Sequence, residues 1–146
     1  MRHYVFIGLI TVLATLLATA SANDTLQVTD IWSRATPPSA EVGAAYFMVK
    51  NHGSTPDRLI GVDTPVAQHA EMHTHIMQDG LMMMRQLEAI DLPAGGSIVF
   101  KPGGNHIMLM GLDQALQEGE RFPLTLKFEQ AGRIELTVEV RAIGSL

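Results

Sequence analysis

The chain has 146 residues, with six histidines, nine methionines and no cysteine. A chain of this length can bury the core of one domain without covalent cross-links. The lack of cysteine excludes disulfides, thiolate metal sites and thiol catalysis. The net charge of −5 at pH 7 argues against nucleic acids and anionic membrane surfaces as partners.

The first 22 residues have the pattern of a secretory signal. Met1–His3 is basic, Tyr4–Ala18 is almost entirely apolar, and Ala20 and Ala22 provide the small side chains that signal peptidases require. The apolar run is shorter than the roughly 20 residues that a membrane-spanning helix needs. We therefore expect cleavage after Ala22, which leaves residues 23–146 as a single domain. Because no cysteine is present to carry a lipid, this domain is predicted to be exported, unanchored and periplasmic.

The mature chain is predicted to consist of short strands. Extended runs at 26–35, 42–51 and 57–62 are separated by turn-forming clusters at 37–39 and 52–56. Two further strands flank the Pro-Gly-Gly at 102–104, and only 113–118 is predicted to form a helical turn.

The last third of the chain gives the clearest strand pattern. In Arg133–Arg141 every second residue is apolar, and Leu124–Glu129 alternates in the same way, with a hairpin turn between them. Seven to nine such strands in about 120 residues predict an all-β fold, either an antiparallel β-sandwich or a Greek-key barrel.

The segment His69–Arg85, HAEMHTHIMQDGLMMMR, contains three of the six histidines and five of the nine methionines. Asp79-Gly80 within it is a strong signal for a two-residue hairpin. That turn pairs Met77 with Met82 and His75 with Met84, and directly opposed residues share a sheet face. The predicted face therefore carries five histidine and methionine side chains: His73, His75, Met77, Met82 and Met84.

A second histidine–methionine face is predicted in Gly104–Gly111, GNHIMLMG. There His106, Met108 and Met110 alternate with apolar residues, and two such faces suggest one shared metal site. Thioethers are soft, weak donors that suit Cu(I) and bind little zinc, calcium or magnesium. Neutral imidazole binds both Cu(I) and Cu(II), so the set predicts copper. An electron-transfer copper site is disfavoured because it requires a cysteine thiolate.

Other methionines are predicted to be structural. Met48 lies in an apolar strand, and Met72 and Met83 fall on the face of the hairpin opposite the histidines. These three are interpreted as core residues, and His52 is interpreted as a solvated turn residue.

The spacing His73–x10–Met84–x21–His106–x–Met108 resembles that of the periplasmic copper chaperones called PCu(A)C. The segments IWSRATPPSAEVGAAYFMVKN, LPAGG and GGNHIMLMGL are also similar, so the resemblance covers nearly all of the mature chain. It implies a cupredoxin-like β-sandwich that binds Cu(I) through those four residues. It also implies delivery of copper to the dinuclear copper centre of cytochrome c oxidase, often alongside Sco-type proteins. Some members carry a His- and Met-rich tail for additional Cu(II), whereas this sequence ends in RAIGSL.

The predicted function is therefore copper transfer by a monomeric, non-enzymatic protein, with the copper-bearing subunit of the oxidase or a Sco-type protein as partner. The alternative is a copper-buffering or resistance protein without a dedicated client. A copper monooxygenase would need an N-terminal histidine, whereas cleavage after Ala22 exposes Asn23. A metal-free adhesion domain would leave the histidine–methionine faces unexplained. Whether His75, Met77, Met82 or Met110 joins the site stays open at this point.

Overall fold

The structure is a computed structural model that describes residues 25–146, so the signal segment predicted over residues 1–22 lies outside the described part. The described chain is built from strands joined by turns and short irregular connections. The strands are β1 (Leu26–Arg34), β2 (Val42–Asn51), β3 (Asp57–Asp63), β4 (Ala67–Gln78), β5 (Leu81–Leu87), β6 (Ile90–Leu92), β7 (Ser97–Phe100), β8 (His106–Leu112), β9 (Arg121–Phe128) and β10 (Gly132–Arg141). Across residues 25–146, none of the chain forms a helix with the length and apolarity needed to cross a bilayer.

The strands form one continuous sheet in the order β5-β4-β8-β2-β1-β10-β9-β3-β6. β7 shares an edge of β2 with β8: residues 42–45 of β2 pair with β8, and residues 47–50 pair with β7. Only the β1–β10 pair among these strands is parallel. The sheet does not close on itself, so of the two predicted alternatives the sandwich is correct. The predicted all-β class is confirmed.

One hydrophobic core lies between the two halves of the sheet. β8 and β2 contribute Ile107, Leu109 and Phe47 from one half, and β9 and β10 contribute Leu124 and Val138 from the other. All five side chains are at most 1% exposed. Burial of each such side chain stabilises the fold by about 1.5–3 kcal/mol before conformational entropy is subtracted. The alternation predicted in the last third of the chain is thus confirmed.

The hairpin between β4 and β5 has the predicted turn and register. Asp79 and Gly80 both have positive φ, at 52° and 77°, as a two-residue turn of type I′ requires. Met77 pairs with Met82 and His75 with Met84. His73 and Met84 are consequently diagonal neighbours on one face.

Two of the three methionines predicted to lie in the core do not. Met72 is 3% exposed, as predicted, but Met48 is 40% and Met83 is 46% exposed. Met48 alternates with the buried Phe47 and Val49, so its side chain points out of the sandwich. Met83 lies in β5, where six of seven residues are exposed because the hairpin extends past the core.

Two local features also differ from the predictions. The strand β6 was not predicted, because three residues are too few to show alternation. Residues 113–118 form bends and turns without a helix. The buried Leu116 fixes that segment, since its backbone N–H donates to the hydroxyl of Thr36 at 2.9 Å and its carbonyl accepts from the Thr36 N–H at 2.8 Å.

Candidate metal centre

Three neighbouring strands, β5, β4 and β8, bring the two histidine–methionine faces together at one end of the sheet. His73 of β4 lies directly opposite His106 of β8 in the ladder, and Glu71 lies opposite Met108. His75 lies opposite Met84 of β5. The prediction that the two sequence segments form one cluster therefore matches the structure.

His106 is held firmly by the loop that precedes β8. Its side chain is buried, and its Nδ1–H donates to the backbone carbonyl of Gly104 at 3.0 Å. That loop is itself closed by two backbone hydrogen bonds, from Gly104 N–H to Lys101 at 3.0 Å and from Lys101 N–H to Asn105 at 2.8 Å. With the proton on Nδ1, the lone pair of the neutral ring is on Nε2, which is the atom left to bind a metal.

His73 has the opposite arrangement. Its Nε2 lies 2.9 Å from a carboxylate oxygen of Glu71, and a carboxylate can only accept, so Nε2 carries the proton. The lone pair is then on Nδ1, which is buried and has no hydrogen-bond partner among the described residues. A buried polar atom without a partner is costly and requires an explanation. A bound metal ion would satisfy it.

The two predicted thioether ligands line one open cleft of about 410 Å³. Met84, Met108, His106 and His75 contribute to its wall. His73 does not line this cleft, but its ring centroid lies 5.9 Å from that of His106. The structure thus brings three of the four predicted ligands to a single opening and places the fourth directly beside one of them.

The electrostatics of the cleft favour a soft ion held by neutral donors. Among residues 25–146, Arg34 is the one charged residue in its wall, and no carboxylate of that part of the chain lines it. Burial raises the pKa of the Tyr46 phenol, partly offset by the positive charge of Arg34, so this wall residue stays neutral. Within residues 25–146, no group of three or more histidine, aspartate or glutamate side chains could hold a metal ion. The donor set therefore fits copper through thioethers better than zinc, calcium or magnesium.

His75 was predicted to lie on the histidine–methionine face with its part in the site left open, whereas Glu71 was not predicted to belong to the site. The ring centroid of His75 lies 5.2 Å from that of His106, whereas the ring centroid of His73 lies 5.9 Å from it. Glu71 is the hydrogen-bond acceptor for His73. The signal for Glu71 was available, because residues two apart on a strand share a face.

The tautomer of His73 is testable without copper. Glu71→Ala removes the acceptor, so the apo-protein should lose the fixed Nε2–H form and show a mixture of tautomers. Glu71→Gln keeps an oxygen at the same place and should preserve the wild-type form. Long-range ¹⁵N–¹H spectra of the imidazole rings distinguish the two tautomers. A wild-type spectrum with the proton on Nδ1 of His73 would contradict the assignment.

The stability of the apo-protein should fall in mildly acidic solution because of His106. Burial, the largest cause, lowers the pKa of its imidazole, and the positive charges on His75 and His73 lower it further, against an opposing hydrogen bond to Gly104. The unfolded chain binds a proton near the ordinary value of 6.5. The unfolded state therefore gains protons first, and the free energy of unfolding decreases as pH falls from about 6.5 toward the lowered pKa.

Urea unfolding at several pH values measures this effect. His106→Gln should flatten the decline relative to the wild type, whereas His52→Gln, at an exposed histidine, should retain it. An unchanged slope in His106→Gln would show that other groups cause the acid sensitivity.

Comparison with known proteins identifies the family. The family described as "Putative lipoprotein LpqE-like" matches residues 26–140. The protein named "Putative lipoprotein Lxx21020" from Leifsonia xyli subsp. xyli is 31% identical over 119 residues, which cover 81% of this chain and 70% of that protein.

Solved structures of PCuAC-type proteins are also similar to this chain. The copper-bound PCuAC domain from PmoF2 is 27% identical, with a TM-score of 0.69 over 81% of this chain and 93% of that domain. The Cu(I) form of DR1885 from Deinococcus radiodurans is 30% identical, with a TM-score of 0.60 over 85% of each chain. The fold and the cluster define a cupredoxin-like domain of the PCuAC type, as predicted. The chain belongs to the LpqE-like, PCuAC-type family.

Proposed function

We propose that this domain is a copper chaperone that binds Cu(I) through His73, Met84, His106 and Met108. The observation that carries the proposal is the arrangement of the two rings. Each has one nitrogen occupied by a protein acceptor, which leaves Nδ1 of His73 and Nε2 of His106 as donors in directly paired residues. Met84 and Met108 add thioether sulfur beside His106, and neutral nitrogen with soft sulfur is the combination that Cu(I) prefers.

The same arrangement supports transfer. All four donors are neutral and the cleft is open, so a partner can reach the ion, and its release leaves no unpaired ligand charge in the site. Since imidazole also binds Cu(II), that state can be held more weakly by the two histidines. The similarity to copper-bound PCuAC structures supports copper as the physiological metal.

The proposed client is the copper-bearing subunit of cytochrome c oxidase or a Sco-type assembly protein, and the proposed functional form is a monomer without enzymatic activity. Buffering of copper without a client is the alternative. These can be separated by mixing the Cu(I)-loaded domain with the apo form of each candidate client and measuring where copper resides. Transfer to a client faster than to a thiol-free control protein supports delivery, and equal rates support buffering.

Copper titration of the apo-domain tests the metal assignment directly. Under reducing conditions we expect tight binding at the four-residue site, measured with a competing chelator. Under oxidising conditions binding should be weaker and should depend on the two histidines. Zinc should compete poorly. Tighter binding of zinc than of Cu(I) would exclude the proposed site.

The family descriptions as lipoproteins support an exported protein. The proposed location is the periplasm, with a mature form that begins at Asn23. Intact-mass measurement of the protein from a periplasmic fraction tests both points. Retention of residues 1–22 would contradict the proposed soluble form.

A further inference from the structure

The hairpin of β4 and β5 carries more sulfur than the four-residue site uses. Met77 and Met82 are directly opposed on the face that also carries His75 and Met84. Opposed residues on one face have Cβ atoms about 4.5–5.5 Å apart, and the next pair along the same face is about 7 Å away. Long thioether side chains can span both distances, so Met77, Met82 and His75 can converge on one point.

Packing does not account for these methionines. Met77 and Met82 are each 65% exposed, whereas Met72 on the same hairpin is 3% exposed. A side chain that is two-thirds exposed contributes little to the core, and on folding grounds alone a polar residue would serve as well. The feature that distinguishes methionine from such a residue is its soft sulfur.

The position of the pair connects it with the inner site. Met84 lines the cleft together with His75, His106 and Met108, and Met77 and Met82 do not line it. The ring of His75 lies 5.2 Å from that of His106. His75 therefore lies between the exposed thioethers of the turn and the buried imidazole of the inner site. It is not one of the four ligands assigned to that site, so it is free to bind elsewhere.

We propose that Met77, Met82 and His75 form a second, outer Cu(I) position, through which the ion enters and leaves the inner site. The proposal rests on the proposed function, because it requires Cu(I) at the inner site. Movement between the positions is ligand exchange: copper stays Cu(I), and one set of neutral thioether and imidazole donors replaces the other. No proton or electron is transferred. The outer position has fewer donors and is more exposed, so it is the weaker of the two.

Methionine methyl NMR tests this assignment at each sulfur. The apo-domain is labelled with [¹³C-methyl]methionine and titrated with Cu(I) under reducing conditions. During the first equivalent, the methyl signals of Met84 and Met108 should shift. During the second, those of Met77 and Met82 should shift. The signals of Met83, on the opposite face of the same hairpin, and of Met48 should stay in place throughout.

The outcomes separate the two proposals. If Met84 and Met108 respond while Met77 and Met82 stay unchanged after two equivalents, the outer position does not exist and the chaperone function stands. If Met84 and Met108 do not respond at all, the proposed function fails, and the outer position fails with it.

Variants provide an independent measurement. Met77→Leu/Met82→Leu should lose the second equivalent of Cu(I), keep the first, and release copper more slowly to an external chelator. His75→Ala should also lose the second equivalent. Met83→Leu is the matched control, since it removes an exposed sulfur from β5 on the other face and should leave stoichiometry and release rate unchanged. Equal release rates in the double variant and the wild type would overturn the proposed route.

Discussion

Met108→Leu is expected to weaken Cu(I) binding by at least about tenfold, which corresponds to about 1.4 kcal/mol. Leucine has nearly the volume of methionine and lacks only the donor sulfur, so the free energy of unfolding should change by less than about 1.5 kcal/mol. Met108 lies opposite Glu71 and Ala44 in the sheet, and neither carries a thioether; Met110, two residues further along the same face, does not line the cleft. Cu(II) binding should change less, because the softness of sulfur favours Cu(I).

Met84→Leu should also weaken Cu(I) binding, but by less than Met108→Leu does. Met84 is 51% exposed and lies two residues from Met82 on the same face of β5, so a neighbouring sulfur can partly replace it. The controls are Met48→Leu and Met83→Leu, which remove exposed sulfurs outside the cleft. Competition with a Cu(I)-specific chelator gives all four affinities. Wild-type affinity in Met108→Leu and Met84→Leu, with loss in the controls, would refute the ligand assignment.

Ile107→Ala is expected to give the largest loss of stability, about 2–5 kcal/mol in the free energy of unfolding. Ile107 is fully buried and pairs with Ala45 on one side and Met72 on the other. Its removal leaves a cavity in the hydrophobic core, and the closely packed side chains around it can collapse only in part. Since its chain neighbours are His106 and Met108, we also expect the metal site to bind copper less tightly.

Urea unfolding of the apo-protein measures the first effect, and chelator competition measures the second. Val99→Ala is the matched control, since Val99 is a strand residue that is 44% exposed and should change stability by less than about 0.5 kcal/mol. A similar loss in both variants would mean that burial does not determine the effect.

The hairpin could be predicted from the sequence because one local signal fixed it. Asp79-Gly80 determines the turn, the turn determines the pairs, and the alternation of faces then places His75 with Met84. The order of the strands could not be predicted in this way. The pairing of β4 with β8 joins segments separated by three other strands and their connections, and no local pattern encodes such a contact.

The same reason explains which residues were wrongly assigned. Whether a face is covered depends on what packs against it, and alternation only shows that two faces exist. Met83 was placed on the correct face, but that face is uncovered at the tip of the hairpin. Glu71 shares the predicted histidine face, but a carboxylate is not a preferred donor for Cu(I), and its hydrogen bond to His73 depends on side-chain geometry that alternation does not determine.

The shared ladder of β4 and β8 also protects the protein against mispairing. A slip of one residue in either strand would exchange its two faces. In β8 such a slip would move Ile107 and Leu109 off the core face and put His106 and Met108 against the hydrophobic core in their place. The misaligned state would therefore lose apolar burial and pack a polar imidazole against aliphatic side chains. Because the misaligned register is less stable, the folding equilibrium favours the register that places the copper donors together. A stably folded chain therefore has its donors in place without metal.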